Sequence, residues 1–147
     1  MNRIAVVAFV AASCPALLSC GKELCRVPFA AEGAATATAT LAQGQVAFWT
    51  DLDLDYEGDA SLLYQIQLVQ AGTTVATATC NPLGELPVRS SWVETNIGSK
   101  HSRRGDAKME CSTKLRAGGP TTVKVSLAFA RKPISAELRK ADLVLKQ

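Results

Sequence analysis

The chain has 147 residues, room for one ordinary domain and too little for two comfortable ones. With 48% hydrophobic and 20% charged residues it is a folding chain, which excludes an intrinsically disordered one. A formal net charge of +3 implies no partner by itself. The distribution says more. Residues 27–88 hold seven acids and no Lys or Arg, whereas residues 89–147 hold thirteen bases and five acids. Such asymmetry fits a charged partner, or acidic and basic strands paired with each other inside one sheet, and the second reading is preferred here.

Met1-Asn2-Arg3 is a short segment with one positive side chain. Ile4 to Leu18 is then a run of apolar and small residues broken only by Ser13, Cys14 and Pro15. A membrane-spanning helix needs about 20 apolar residues, so a run of this length matches the hydrophobic region of a secretory signal instead. The run ends in Leu17-Leu18-Ser19-Cys20. This segment resembles the signal and lipobox of bacterial lipoproteins. The resemblance covers residues 1–20 and implies diacylglyceryl transfer to the Cys20 thiol, cleavage after Ser19, and acylation of the new α-amine. Two or three acyl chains anchor stably where one chain binds only marginally. A competing site, Ala11-Ala12-Ser13-Cys14, lacks Leu at the third position before the cysteine and sets Pro15 beside it. Gly21 follows Cys20. The enterobacterial signal for inner-membrane retention is Asp at that position, so the resemblance leans toward the outer membrane. The expected organisation is a signal peptide over 1–19, a tether over 20–33 with Pro28 and Gly33, and a domain over 34–147.

The mature domain reads as strands. Ala34 to Leu41 alternates Ala with Thr, and Gln43-Gly44-Gln45 is a turn signal. Gln45 to Tyr56 puts Val46, Phe48, Thr50, Leu52, Leu54 and Tyr56 on one side, with Trp49, Asp51, Asp53 and Asp55 on the other. Glu57-Gly58-Asp59 makes a turn. Ser61 to Gln70 repeats the pattern through Leu62, Tyr64, Ile66 and Leu68, and Ala71-Gly72 makes a hairpin connection to Thr73–Cys80. Pro82, Gly84 and Pro87 make residues 81–88 a loop. Ser90 to Ile97 is strand-like, and Gly98 to Gly105 reads as a polar basic loop. Lys108–Leu115, Thr121–Phe129 and Ile134–Leu145 supply the remaining strands. About eight short strands with frequent turns predict an all-β chain folded as a single β-sandwich of immunoglobulin-like or jelly-roll type.

Five cysteines are present. With Cys14 removed and Cys20 lipidated, Cys25, Cys80 and Cys111 face an oxidising compartment. Cys80 ends one predicted strand and Cys111 lies in another, so a Cys80–Cys111 disulfide is expected, worth roughly 3–4 kcal/mol in the chain-entropy picture. Cys25 is then the odd cysteine. If Cys14 carried the lipid instead, Cys20, Cys25, Cys80 and Cys111 could form two bridges. A zinc site from Cys25, Cys80, Cys111 and His101 lacks close ligand spacing.

The acidic ladder Asp51, Asp53, Asp55, Glu57 and Asp59 suggests a hard cation. An EF-hand is excluded, because its glycine and glutamate positions hold Tyr56 and Leu62. Asp51 and Asp53 sit on a strand; only Asp55, Glu57 and Asp59 at the turn remain as Ca²⁺ candidates. Lys100, His101, Arg103 and Arg104 form the densest basic run and could dock on phosphate groups, lipid heads or an acidic protein. Nucleic acid is disfavoured, since no aromatics interleave with that run. His101 is the single histidine, and neither a nucleophile elbow nor a His-Glu-x-x-His motif occurs. Trp92 reads equally as core or ligand platform. Trp49 shares its face with the aspartates and is the better candidate for an exposed contact. The expected function is a membrane-anchored, non-enzymatic binding or assembly module needing no cofactor, its partner another envelope protein or a surface glycan. The alternatives are a glycan-binding or enzyme-accessory sandwich, and a purely structural envelope protein.

Overall fold

A computed structural model describes residues 21–147 and the backbone of Ser13–Cys14. Residues 1–12 and 15–20 of the expected signal peptide and lipidation site, Cys20 among them, lie outside the described residues. Ten strands follow one another: β1 (Ser13–Cys14), β2 (Glu23–Val27), β3 (Gly33–Leu41), β4 (Gly44–Glu57), β5 (Ser61–Gln70), β6 (Thr73–Cys80), β7 (Val88–Ile97), β8 (Lys100–Leu115), β9 (Gly119–Arg131) and β10 (Ser135–Lys146). They form two sheets, ordered β1-β3-β9-β5-β6 and β2-β10-β4-β8-β7. Every pairing is antiparallel except the two-residue contact of β1 with β3. The chain is an all-β sandwich, as its alternation predicts.

The period of two explains the packing. Val46, Phe48, Thr50, Leu52 and Leu54 of β4 are buried, and so are Leu62, Tyr64, Ile66 and Leu68 of β5. Each side chain of this kind contributes about 1.5–3 kcal/mol when fully buried. Shifting either strand by one residue would turn that whole set to water. Two links join the sheets, one polar and one covalent. The hydroxyls of Thr50 and Tyr64, both wholly buried, meet at 2.9 Å, so neither leaves an unsatisfied group in the core. The expected disulfide is present: Cys80 at the end of β6 bonds Cys111 of β8, with Cα atoms 5.4 Å apart.

Two expectations change. The segment expected as a tether contains β2, which pairs with β10 and buries Leu24, Cys25 and Val27. Its burial is not alternating, because the register shifts between Leu145 and Lys146, so the strand carries no period-two signal. The basic segment expected as a loop is the first third of β8. The turn is confined to Gly98-Ser99, between the paired residues Ile97 and Lys100, with Gly98 at φ +60. The polar residues hold a strand here because acids of β4 lie beside them.

One glycine fixes how β7 joins this sheet. A register shift between Ser90 and Val93 marks a bulge in β7, with Ser91 at φ +54, opposite Gly105 at φ +122. A Cβ on Gly105 would lie 2.2 Å from the Ser91 carbonyl oxygen. Only glycine satisfies both the backbone conformation and the close approach.

Candidate functional site

The strand order decides the fate of the acidic ladder. β4 lies between β10 and β8, so the outer-face acids of β4 meet bases from both sides. Asp53 accepts from Arg139 at 2.8 Å and lies 3.2 Å from Arg104. Asp55 accepts from Arg139 at 2.8 Å. Asp51 binds Lys140, and it accepts from Arg26 at 2.9 Å. Arg26, arriving on edge strand β2, also bonds Asp142 at 3.0 Å and Glu23 at 2.8 Å. The acidic first half of the chain is thus neutralised largely by bases from the second half.

Titration follows this arrangement. Partial burial works against the charged form of Asp51, but Lys140 and Arg26 outweigh it and hold its carboxyl below the usual range. The Arg139 guanidinium does the same for Asp53, and Arg26 for Glu23. Individual pairs at this exposure are worth about 0–1 kcal/mol each, and their interest lies in the network. Among the described residues, no group of three or more His, Cys, Asp or Glu side chains is placed to hold a metal ion. Asp55 is held by Arg139, Glu57 accepts from the Ser99 hydroxyl at 3.3 Å, and Asp59 stands exposed on the turn, so these three are not gathered into one cation site.

Trp49 shares this outer face, as its phase predicts, and is half-buried with the Lys146 ammonium 3.9 Å from its ring centroid. A cation already occupies the face that a stacking ligand would need. Trp92 packs against the core from the inner side of β7, and its indole N–H donates to Glu94 at 2.9 Å.

Strand alternation divides the basic run. Arg104 joins the aspartates on the outer face. His101 and Arg103 turn the other way, toward Tyr56: the His101 ring lies 4.8 Å from the Tyr56 ring, and the Arg103 guanidinium 5.9 Å. Asn96 Oδ1 lies 2.7 Å from His101 Nδ1. Tyr56, His101, Ile97, Lys100 and Glu137 line an open cleft of about 660 Å³. Among the described residues His101 hydrogen-bonds Asn96 and no hydroxyl or thiol.

The outer face of the other sheet is the surface that reading the sequence missed. Thr36 and Thr38 of β3, Gln65 and Gln67 of β5, Thr77 and Thr79 of β6 and Ser126 of β9 lie there, with Lys124 as the one charged side chain among the lining residues. A shallow groove of about 480 Å³ crosses it between Thr36, Gln67 and Thr77. None of the amides and hydroxyls of Gln65, Gln67, Thr36 or Thr77 has a protein partner among the described residues. The signal was present in the Ala-Thr alternation of residues 34–41 and 76–79, which reads locally as a strand and only in three dimensions as a neutral plane.

No family model, no curated protein and no solved structure matches this chain.

Proposed function

We propose that the protein is a lipid-anchored envelope lipoprotein whose β-sandwich serves as a non-enzymatic binding or assembly module, held more readily at the outer than the inner membrane. The observation that supports this reading best is the position of Gly21. Its N–H donates to the carbonyl of the last residue, Gln147, at 2.6 Å, so the chain enters the sandwich at one end, one residue after Cys20. Among the described residues the buried apolar core runs from Leu24 to Leu145, all of it downstream of the expected cleavage after Ser19. Cleavage does take β1, but β3 keeps nine paired residues with β9.

A partner reading follows from the two outer faces. The β4 aspartates Asp51, Asp53 and Asp55 are engaged by bases, whereas the amides and hydroxyls of Thr36, Gln65, Gln67 and Thr77 on the opposite face have no protein partner among the described residues. A surface glycan, which offers neutral hydroxyls, suits the second face; another envelope protein is the other candidate. Cys20→Ser tests the anchoring. The expected outcome is accumulation of unprocessed chain or its release from the membrane fraction, with Cys14→Ser behaving as the unaltered protein. Normal processing and full membrane retention of Cys20→Ser would contradict the reading.

A further inference from the structure

We propose that the end of the sandwich at which Gly21 enters docks on anionic phospholipid headgroups through Lys22, Lys114 and Arg116. The orientation rests on the lipoprotein reading; the affinity for anionic headgroups does not.

Backbone contacts gather this end. Beyond the Gly21–Gln147 bond, the Gln147 side chain accepts from Ala42 N–H at 2.9 Å and donates to the Ala42 carbonyl at 2.8 Å. Gln70 donates to the Ala117 carbonyl at 3.2 Å. Gly118 approaches the Leu41 carbonyl and Ala42 so closely that a Cβ there would lie 3.0–3.3 Å from them. Both chain entry and chain end, the β3–β4 turn and the β8–β9 turn therefore share one rim. Lys114 lies opposite Gln45, one register step from the Gly44–Leu115 pair.

Side-chain bases outnumber acids on this rim. Lys22, Lys114 and Arg116 are exposed, and none forms an ion pair among the described residues. Lys146 adds a fourth positive charge over Trp49. Glu23 is the acid nearest the chain entry, and Arg26 binds it at 2.8 Å. The opposite end differs. There the paired residues Glu57 and Lys100, with Arg131 at the end of β9 and Asp59 and Lys132 in the neighbouring turns, mix both signs. The turns on the anchored rim offer only Ala42, Ala71 and Ala117 as apolar side chains, too small for insertion, so the contact is electrostatic. A base close to an anionic membrane changes partitioning by roughly five-fold, and three together by about 100-fold at low salt. The attraction decays within about 10 Å at 0.1 M salt, so added salt should remove the effect.

The test uses the protein purified from membranes and reconstituted in two kinds of vesicle, one rich in phosphatidylglycerol and one of phosphatidylcholine alone. An amine-reactive reagent reports Lys22 and Lys114, with Lys124 and Lys100 as internal references. Docking predicts that Lys22 and Lys114 react at least five-fold more slowly on the anionic vesicles, that the references do not change, and that 0.5 M salt abolishes the difference. Arg116→Glu should weaken the protection of both lysines. Equal labelling on the two vesicle types overturns the proposal, as does protection that Arg116→Glu leaves intact. The intact mass of the same sample reports whether Cys20 is acylated. If it is not, failure lies with the anchoring, and cosedimentation of the protein with the same vesicles still decides the docking.

Discussion

The basic side chains of this sandwich fall into two regions that differ in what meets them. On the outer face of the second sheet, Arg26, Arg104, Arg139 and Lys140 are each within bonding reach of a β4 aspartate. On the rim where Gly21 enters, Lys22, Lys114 and Arg116 form no ion pair among the described residues. Density of charge in the sequence points to the first region, and availability of charge points to the second. A base already spent on an internal carboxylate must lose that bond before it can serve a partner, whereas an unpaired base at a rim is ready to act on any anionic surface.

Breaking the comparison begins with the strand that supports it. β8 must keep register with β4 on one side and β7 on the other. Gly105→Ala drives a Cβ into the Ser91 carbonyl at a backbone angle that L side chains rarely adopt. It should cost about 3 kcal/mol or more of unfolding free energy in denaturant titration. A loss under about 1 kcal/mol would mean that the β7–β8 corner yields easily.

Substitutions in the two regions should then dissociate. Asp51→Asn removes the carboxylate shared by Arg26 and Lys140. It should cost about 1 kcal/mol of stability, discounted for exposure, and leave vesicle binding unchanged. Reversing Lys22, Lys114 and Arg116 to Glu should leave stability within about 0.5 kcal/mol and abolish the preference for anionic vesicles. Equal effects on both properties from either set would erase the distinction between the regions.

The smallest effect is a pH dependence. Glu23, Asp51 and Asp53 titrate below their usual values in the folded chain. A carboxylate of this kind stabilises fully above its unfolded pKa, and that stabilisation is lost as pH falls through the lower folded value. The melting temperature should therefore hold steady above pH 5 and fall below about pH 4, less steeply in high salt. Asp51→Asn should flatten the fall, while the rim reversals should not remove it.

Much of this fold is legible where one face of a strand is apolar and the other polar. Residues 45–56 and 61–70 declare their faces through that alternation, and Cys80 and Cys111 declare the bridge through their places in two strands. β2 is hidden because Leu24 and Cys25 are adjacent and both buried, a pattern without a period. The first third of β8 is hidden because Lys100 to Arg104 is polar on both sides and is held by partners about fifty residues away. The acids and bases are visible in the sequence; the order β10-β4-β8, which engages one set and leaves another free, is tertiary information. The same holds for the neutral face, built from four strands that are each unremarkable alone.

Intact-mass spectrometry of the mature protein tests the central claim most directly. The account predicts a chain lacking residues 1–19 whose first residue, Cys20, carries a diacylglyceryl thioether and an acylated or free α-amine, with Cys80 and Cys111 joined. A mature chain with an unmodified Cys20 thiol, or one acylated at Cys14, would contradict it.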